Sequence, residues 1–235
     1  MLALIADCVS KSFGAHRVLS SATLRAEPGQ VRVIFGRNGQ GKSTLFRIAA
    51  GVLQPDSGVV RVGTTTFLRA TLPHLARHGV FYLPDHDLLS ATMRVGAQLA
   101  LVEQRFGRQR AADAAAQAGV TDFLDRRPGS LSGGELRRAE LAVALTRRPT
   151  VLIADEPYRG VAPADHDALT TLFRQFAADG CAVVVSGHEV PSLLAAADHI
   201  TWCTDGTTYE LGPPEIACAH EGFRRQYLGP RAPAR

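Results

Sequence analysis

Short apolar runs alternate with helical patterns along most of this 235-residue chain. Four of the runs are rich in valine and isoleucine and end at a polar or glycine-containing turn, which is typical of buried strands in a parallel sheet. They span Val31–Phe35, Val80–Leu83, Val151–Ala154 and Ala182–Val185. The pattern predicts an α/β core, in which ligands bind at the carboxyl ends of the strands.

The pattern changes over residues 90–127, where alanine, glutamine and arginine recur at helical spacing without a strand signal. We therefore predict a small helical subdomain over 90–127, inserted into a core formed by 1–89 and 128–235. Near the end of the chain, two alternating runs flank Asp205-Gly206, a pair that is typical of a hairpin turn. The final residues, from 229 onward, predict a frayed tail.

Composition limits the class of protein. With 46% apolar and 20% charged residues, the chain suits one domain with a sizeable core. The net charge of +4 is mild and scattered, so no nucleic-acid footprint is indicated. The 4 cysteines form no CxxC pair, which suits a reducing compartment. Because no apolar run approaches the roughly 18 residues of a membrane span, we expect the chain alone to be soluble.

The strongest chemical signal is GRNGQGKS, which matches GxxxxGK[ST] between a predicted strand and an apolar helical pattern. Glycines allow backbone N–H groups to surround phosphate oxygens, and the following helix contributes a favourable dipole. Lys42 would reach the β- and γ-phosphates, and Ser43 would ligate Mg²⁺. The flanking elements disfavour a chance match. The predicted nucleotide-binding residues of this loop are Gly36, Arg37, Asn38, Gly39, Gln40, Gly41, Lys42, Ser43 and Thr44.

A phosphate loop of this type needs a carboxylate at the end of a neighbouring strand to hold its metal ion. Asp155 follows the apolar run Val151–Ala154 directly, and Glu156 comes next. Asp155 would hold Mg²⁺ through water, whereas Glu156 would accept a proton from, or orient, the water that attacks the γ-phosphate. Such a pair on its own is more often a solvated turn, but together with the phosphate loop it predicts a site.

The motifs GRNGQGKST, LSGGE, VLIADEP and VVVSGH, in this order, resemble those of the nucleotide-binding subunits of ATP-binding cassette (ABC) transporters. The likeness covers nearly the whole chain. It implies a P-loop NTPase core with a mixed, largely parallel sheet, an N-terminal antiparallel β part and a small inserted helical subdomain. It also implies that the chain binds ATP and Mg²⁺ and hydrolyses ATP. The stretches DEPYRGVAP and FRRQYLG are similar to the subgroup serving branched-chain amino-acid importers and lipopolysaccharide exporters.

LSGGE corresponds to the signature motif of that family. The resemblance implies that two subunits face head to tail, and that Ser132, Gly133 and Gly134 of one subunit close over the ATP held by the other. These three residues also open a predicted helix, so its N–H groups and dipole would form a second anion site. The implied partners are a second such subunit, with a homodimer favoured over a heterodimer, and transmembrane permease subunits. The implied location is cytoplasmic, at the inner face of the membrane, and no nucleic-acid partner is expected.

The resemblance assigns further roles to single residues. Phe13 corresponds to the aromatic residue that stacks on adenine, although a core aromatic on the first strand is the alternative. His188 corresponds to the switch histidine that contacts the γ-phosphate, and it completes the predicted catalytic set with Glu156 and Lys42.

Two positions depart from the family pattern. The family has glutamine where this chain has Asp85, which we expect to join Ser43 and Asp155 at the metal. The family also has an aspartate, which helps to fasten the two subunits, where this chain has Ala162. Two alternatives stay open. One is a soluble cassette ATPase that acts on nucleic acid or ribosomes, and the other, which these two departures favour, is an ATP-sensing regulatory subunit with low turnover.

Overall fold

The computed structural model describes residues 2–86, 88–106 and 110–229, and it contains one 10-stranded mixed sheet. The strands are β1 (Leu4–Phe13), β2 (His16–Ala26), β3 (Val31–Phe35), β4 (Ser57–Val62), β5 (Thr65–Phe67), β6 (Val80–Leu83), β7 (Val151–Ala154), β8 (Ala182–Ser186), β9 (His199–Thr204) and β10 (Thr207–Gly212). Their spatial order is β5-β4-β1-β2-β10-β9-β3-β8-β7-β6.

Helices pack on both faces of the central parallel strands of this sheet. They are α1 (Lys42–Ala49), α2 (Leu72–Arg77), α3 (Val95–Phe106), α4 (Ala111–Gln117), α5 (Gly133–Arg147), α6 (His166–Ala178), α7 (Val190–Ala196), α8 (Pro214–Ala219) and α9 (Glu221–Tyr227). Across the described ranges, no helix combines the length and the apolar character that crossing a membrane requires.

The parallel part of the sheet consists of β9, β3, β8, β7 and β6. All four strands predicted from valine-rich runs lie here with the predicted bounds, except that β8 extends to Ser186. Buried residues of β7 alternate between two hydrophobic clusters. Leu152 and Ala154 pack in the cluster that includes residues of α5 and α6, and Val151 and Ile153 pack in the cluster that includes residues of α1. Burial on both faces explains why these strands are continuously apolar.

The N-terminal strands confirm the predicted antiparallel part, because β1 pairs antiparallel with both β2 and β4, and β4 pairs antiparallel with β5. The predicted hairpin is also present as β9 and β10. Its turn residues Asp205 and Gly206 have φ values of 51° and 71°, as a two-residue turn of the favoured hand requires. Of the predicted tail, residues 230–235 lie outside the described residues.

Helices α3 and α4 lie between β6 and α5 in the chain and pack against α5. Val95, Leu99 and Ala114 of these helices belong to the same hydrophobic cluster as Leu152 of the sheet. The described residues between 90 and 127 contain no strand, in agreement with the helical pattern. The boundaries 90 and 127 of a separate subdomain stay a prediction.

Candidate nucleotide-binding site

The phosphate loop connects the carboxyl end of β3 to the first residue of α1, Lys42. Gly39 and Gly41 adopt φ values of 82° and 96°, a region that side chains strongly disfavour. A Cβ on Gly41 would also lie 2.6 Å from the Leu19 side chain, and one on Gly36 would lie 2.7 Å from the carbonyl oxygen of Cys203. The loop therefore requires glycine both for its turns and for its close packing against β2 and β9.

Lys42 is buried beneath this loop and donates hydrogen bonds from Nζ to the carbonyl oxygens of Gly36, at 2.7 Å, and Arg37, at 3.4 Å. Burial lowers the pKa of Lys42, and the carboxylates of Glu156 and Asp155 act in the opposite direction. The ammonium group thus lies in a partly dehydrated position, where phosphate oxygens could replace the carbonyl oxygens as acceptors.

A cleft of about 320 Å³ opens above the loop. Seven of the nine predicted phosphate-loop residues line it. Of the other two, Gly36 accepts the Lys42 hydrogen bond, and Gln40 accepts one from the backbone N–H of Asp205 at 2.6 Å. The lining consists of His16, Val18, Arg37, Asn38, Gly39, Gly41, Lys42, Ser43, Thr44 and Glu156.

Asp155 lies directly after β7 and is almost fully buried. Burial raises the pKa of its carboxyl group, while hydrogen bonds from Ser186 and Ser43 act to lower it. The Ser186 bond is short, at 2.6 Å from Oγ to Oδ1. Thus the structure brings Ser43 and Asp155 together beside the phosphate loop. A hydroxyl and one carboxylate suit Mg²⁺, which prefers oxygen ligands and shares its coordination with substrate phosphates and water.

Glu156 adopts a left-handed backbone conformation, with φ of 46°. A non-glycine residue in this region costs about 1–3 kcal/mol, and such strain concentrates at functional sites. The backbone N–H of Glu156 donates to Oγ of Ser186 at 3.1 Å, and its Oε1 atom lies 3.0 Å from Nε2 of His188. Since Ser186 also binds Asp155, one hydroxyl group holds both acidic residues in position.

The sequence interpretation missed Ser186. The available signal was a polar residue at the end of an otherwise apolar run. Since the predicted parallel strands were expected to end at one edge of the sheet, a polar residue there was a candidate for the site. His188 follows two residues later, where the motif placed it.

Ser132 caps the N-terminus of α5 through a capping box: its Oγ accepts from the N–H of Glu135 at 3.2 Å, and its own N–H donates to Oε2 of Glu135 at 2.8 Å. That second bond is the main cause of a lowered Glu135 pKa.

The two residues after Ser132 are glycines in tight contact with a neighbouring loop. A Cβ on Gly133 would overlap the carbonyl oxygen of Gly160, and one on Gly134 would overlap the Asp165 carboxylate. Among the described residues, those of the signature do not line the cleft of their own chain.

Phe13 ends β1 with its side chain half-exposed, and the ammonium group of Lys11 lies 5.8 Å from its ring centroid. The alternative that Phe13 is a core residue is therefore wrong. Its cross-strand partner is His16, so the two side chains lie on the same face of the hairpin. His16 and Val18 line the cleft, and the sequence interpretation assigned neither of them.

Asp85 follows β6, and both of its carboxylate oxygens have partners. Oδ2 accepts from Nη1 of Arg159 at 3.1 Å, and Oδ1 lies 2.6 Å from Nδ1 of His86. Ala162 precedes a short 3₁₀ turn, Pro163–Asp165, and its carbonyl oxygen accepts from the N–H of Asp165 at 2.9 Å. The backbone at Ala162 is thus held by a turn, and its side chain is only a methyl group in place of the aspartate of the family pattern.

Comparison with known proteins gives a consistent result. The family model described as "ABC transporter" matches residues 19–159. The zinc import ATP-binding protein ZnuC of Alkalilimnicola ehrlichii is 36% identical, over 92% of this chain and 81% of that protein. The lipopolysaccharide export system ATP-binding protein LptB of Escherichia coli strain K12 is 28% identical, over 97% of this chain and 98% of that protein. Among solved structures, an ATP-binding cassette of an ABC transporter in its ADP conformation has a TM-score of 0.85, at 23% identity, covering 97% of this chain and 99% of that one.

Proposed function

Because this chain belongs to the ABC transporter family, as an ATP-binding subunit with ATPase activity, we propose that it hydrolyses ATP at an interface between two such subunits and drives a separate transmembrane permease. The observation that supports this proposal best is the contact of 3.0 Å between His188 and Glu156, because Glu156 lines the same cleft as Lys42. Glu156 and Lys42 line this cleft, and His188 adjoins it through Glu156, which supports a joint role for the three side chains.

We assign the chemical roles from these positions. Lys42 and the N-terminus of α1 bind the β- and γ-phosphates, and the strained Glu156 accepts a proton from the attacking water. His188 orients Glu156 and contacts the γ-phosphate once ATP fills the cleft. Mg²⁺, held through Ser43 and Asp155, would neutralise charge that develops on the phosphate oxygens.

The second half of the site is proposed to come from another subunit. Ser132 and Gly133 are exposed at the beginning of α5, a helix of 15 residues, so its N-terminus can receive an anion. Since the signature residues do not line the cleft described above, a head-to-tail pair of subunits is the arrangement that brings the two together. A homodimer is favoured because this chain carries both halves.

The permease and the location follow from the same proposal. Relatives that match over most of the chain are named as ATP-binding components of zinc import and of lipopolysaccharide export. We therefore place this subunit at the cytoplasmic face of a membrane, bound to transmembrane subunits. The alternative of an ATPase that acts on nucleic acid or ribosomes receives no support from the relatives.

The direct test has two parts. Purified protein should hydrolyse ATP in a manner that requires Mg²⁺, and Lys42→Ala should abolish this activity. The tagged protein should also co-purify with a multi-spanning membrane protein from detergent extracts of its own host. Absence of Mg²⁺-dependent hydrolysis in both the isolated and the membrane-bound protein would reject the catalytic part. Recovery of nucleic acid or ribosomes in place of a membrane partner would reject the transport part.

A further inference from the structure

The loop after β6 carries a carboxylate close to the proposed metal site. Burial is the main cause of the raised pKa values of Asp155 and Tyr82, and the nearby charge of Asp85 contributes a smaller rise to both. A free carboxylate at this position would add negative charge to a site that already contains Asp155 and Glu156 and that must accept the phosphates of ATP. The charge of Asp85 therefore needs compensation or a metal ion.

The structure supplies compensation from the loop between β7 and α6. The guanidinium group of Arg159 donates to Oδ2 of Asp85 at 3.1 Å, and the imidazole of His86 occupies Oδ1 at 2.6 Å. With both oxygens engaged, the carboxylate is oriented by these two side chains. A metal ion would therefore have to share one of these oxygens with Arg159 or His86, in the orientation that the two contacts impose.

A buried arginine of the signature helix prevents the backbone from adjusting freely. Arg137 donates from Nη1 to the carbonyl oxygen of Pro84 at 2.9 Å and from Nη2 to that of Asp85 at 2.8 Å. It also pairs with the buried Glu140 at 2.8 Å, so its own charge is compensated. The loop is thus tied to α5 through its backbone and to Arg159 through its side chain.

Arg159 also adjoins a contact of the signature helix. The next residue, Gly160, has φ of 72°, and its carbonyl oxygen touches Gly133, so closely that Gly133 has no room for a side chain. The side chain of Arg159 thus contacts the Asp85 loop, while the next residue in the chain packs against the first turn of α5.

We propose that Arg159 is a positioning residue that holds the Asp85 carboxylate in an ion pair, away from the bound metal, and thereby links the loop after β6 to the loop that supports the signature helix. The proposal rests on the proposed function, because the metal is the Mg²⁺ that accompanies ATP. It replaces the expectation that Asp85 is a metal ligand. Asp85 is then tolerated near the phosphates because Arg159 cancels its charge.

A double-mutant cycle tests this pair through nucleotide binding. Asp85→Asn, Arg159→Ala and the double variant are prepared beside a reference protein, all carrying Glu156→Gln to prevent turnover. The affinity for a fluorescent ATP analogue is measured in EDTA and across a Mg²⁺ titration. Arg159→Ala should weaken binding in EDTA, because the freed carboxylate repels the phosphates. It should also lower the half-saturating Mg²⁺ concentration, by roughly fivefold, because that carboxylate can now reach the metal.

The proposal predicts two further results of the double-mutant cycle. Asp85→Asn should leave the half-saturating Mg²⁺ concentration close to the reference value, and the double variant should behave as Asp85→Asn does. A marked rise in that concentration for Asp85→Asn, with Arg159 present, would show a working metal ligand and overturn the proposal. Effects of Arg159→Ala that persist in the double variant would overturn it too, since they would not pass through Asp85.

Controls distinguish a failure of this proposal from a failure of the proposed ATPase function. Arg174→Ala removes another partly exposed arginine from an ion pair, with Asp198 at 2.5 Å, and should leave the Mg²⁺ titration unchanged. Thermal unfolding establishes that each variant is folded, and Arg159→Gln replaces Arg159→Ala if the latter is not. No Mg²⁺-dependent nucleotide binding by the wild-type protein rejects the proposed function together with this inference. Binding with an additive cycle rejects the Arg159 role alone.

Discussion

The Nε2 atom of His188 lies 3.0 Å from the Oε1 atom of Glu156, although 32 positions separate the two residues in the chain. The contact exists because β7 and β8 are neighbouring parallel strands that end at the same edge of the sheet. Ser186, at the end of β8, then fixes the backbone of Glu156 and the side chain of Asp155. The site is therefore formed by residues at the ends of neighbouring strands. Single substitutions should show which residues contribute to ATP binding, to proton transfer and to the pairing of subunits.

Replacing Glu156 with glutamine should keep ATP binding and reduce hydrolysis by roughly 10²- to 10⁴-fold, because the amide preserves shape but cannot accept a proton. Steady-state phosphate release measures hydrolysis, and equilibrium binding of a fluorescent ATP analogue supplies the control. The life of the ATP-bound dimer should lengthen, as gel filtration with ATP would reveal. Turnover equal to that of the wild type would remove Glu156 from its proposed role.

Ser186→Ala should move the acidic limb of the pH–activity profile to higher pH. The Ser186 hydrogen bond lowers the pKa of the Asp155 carboxyl group, which burial raises. Without it that pKa rises further, and a higher pH is needed to produce the ionised form that binds a metal. The loss of a buried hydrogen bond should also cost about 1–3 kcal/mol of unfolding free energy.

The matched control for Ser186→Ala is Ser192→Ala, which removes a hydroxyl bonded to Nδ1 of His166 at 2.9 Å. Its effect should be confined to stability, because no acidic residue of the cleft accepts from it. Identical pH profiles for the wild type and Ser186→Ala would argue against the assigned role of Ser186.

Gly133→Ala should destabilise the folded subunit by about 1–3 kcal/mol, the usual cost of an overpacked methyl group, because its Cβ would overlap the backbone oxygen of Gly160. The measurement is chemical unfolding followed by circular dichroism. Gly129→Ala is the control, since a Cβ there meets no atom within 4 Å. Equal stability of the two variants would show that the contact between the signature helix and Gly160 relaxes without cost.

Phe13→Ala should weaken ATP binding by roughly tenfold, because base–aromatic stacking contributes about 1–3 kcal/mol. His16→Ala should weaken it less, since His16 lines the cleft beside Phe13 without a stacking role assigned to it. Tyr209→Ala is a matched control: both aromatic side chains are half-exposed, at 50% for Phe13 and 51% for Tyr209. Unaltered affinity in Phe13→Ala with reduced affinity in His16→Ala would move the base-binding role to His16.

A mixture of two inactive subunits tests why the chain carries two glycine-rich loops. Lys42→Ala cannot hold the phosphates, and Ser132→Arg blocks the signature loop, so each variant alone should be nearly inactive. In the mixed dimer, one interface joins the intact phosphate loop of the Ser132→Arg subunit to the intact signature of the Lys42→Ala subunit. Some ATPase activity should return, as steady-state phosphate release would record.

The control for the mixing experiment is an affinity tag on one variant, which establishes that mixed dimers have formed. If LSGGE served the nucleotide of its own chain, every site in the mixture would carry a defect. With mixed dimers demonstrated and an active wild-type homodimer available, activity that remains at the level of the separate variants would contradict the head-to-tail arrangement.

Much of the molecule could be predicted from local patterns. The four apolar runs could be predicted as strands because their residues pack against hydrophobic clusters on both faces of the sheet, so nearly every position favours an apolar side chain. The phosphate loop could be predicted because its glycines and Lys42 lie within one short stretch of the chain. The hairpin could be predicted because its turn needs positive φ angles, which the pair Asp205-Gly206 adopts. These features depend on neighbours in the chain.

Other features have no local signal. Neither Arg137 nor Arg159 belongs to a pattern that reveals its partner, because each contacts a loop that lies 52 or more positions away. The contact between Asp85 and Arg159, and not simply the charge of Asp85, is the basis of the role proposed for Asp85. His16 likewise has no local signal. It pairs with Phe13 across the hairpin and lines the cleft, and neither fact can be read from neighbouring residues.

The amino-acid sequence was sufficient to predict the chemistry of this protein: the residue types suited to binding phosphate, the carboxylates that follow strands, and the order of the motifs. Those properties reside in side-chain type and short-range spacing, and they survive without knowledge of the fold. The position of β8 between β3 and β7, by contrast, became known from the fold, and this strand order brings Ser186 and His188 to Asp155 and Glu156. Strand order depends on how distant segments bury their apolar faces together, a property of the whole chain that no single stretch of residues contains.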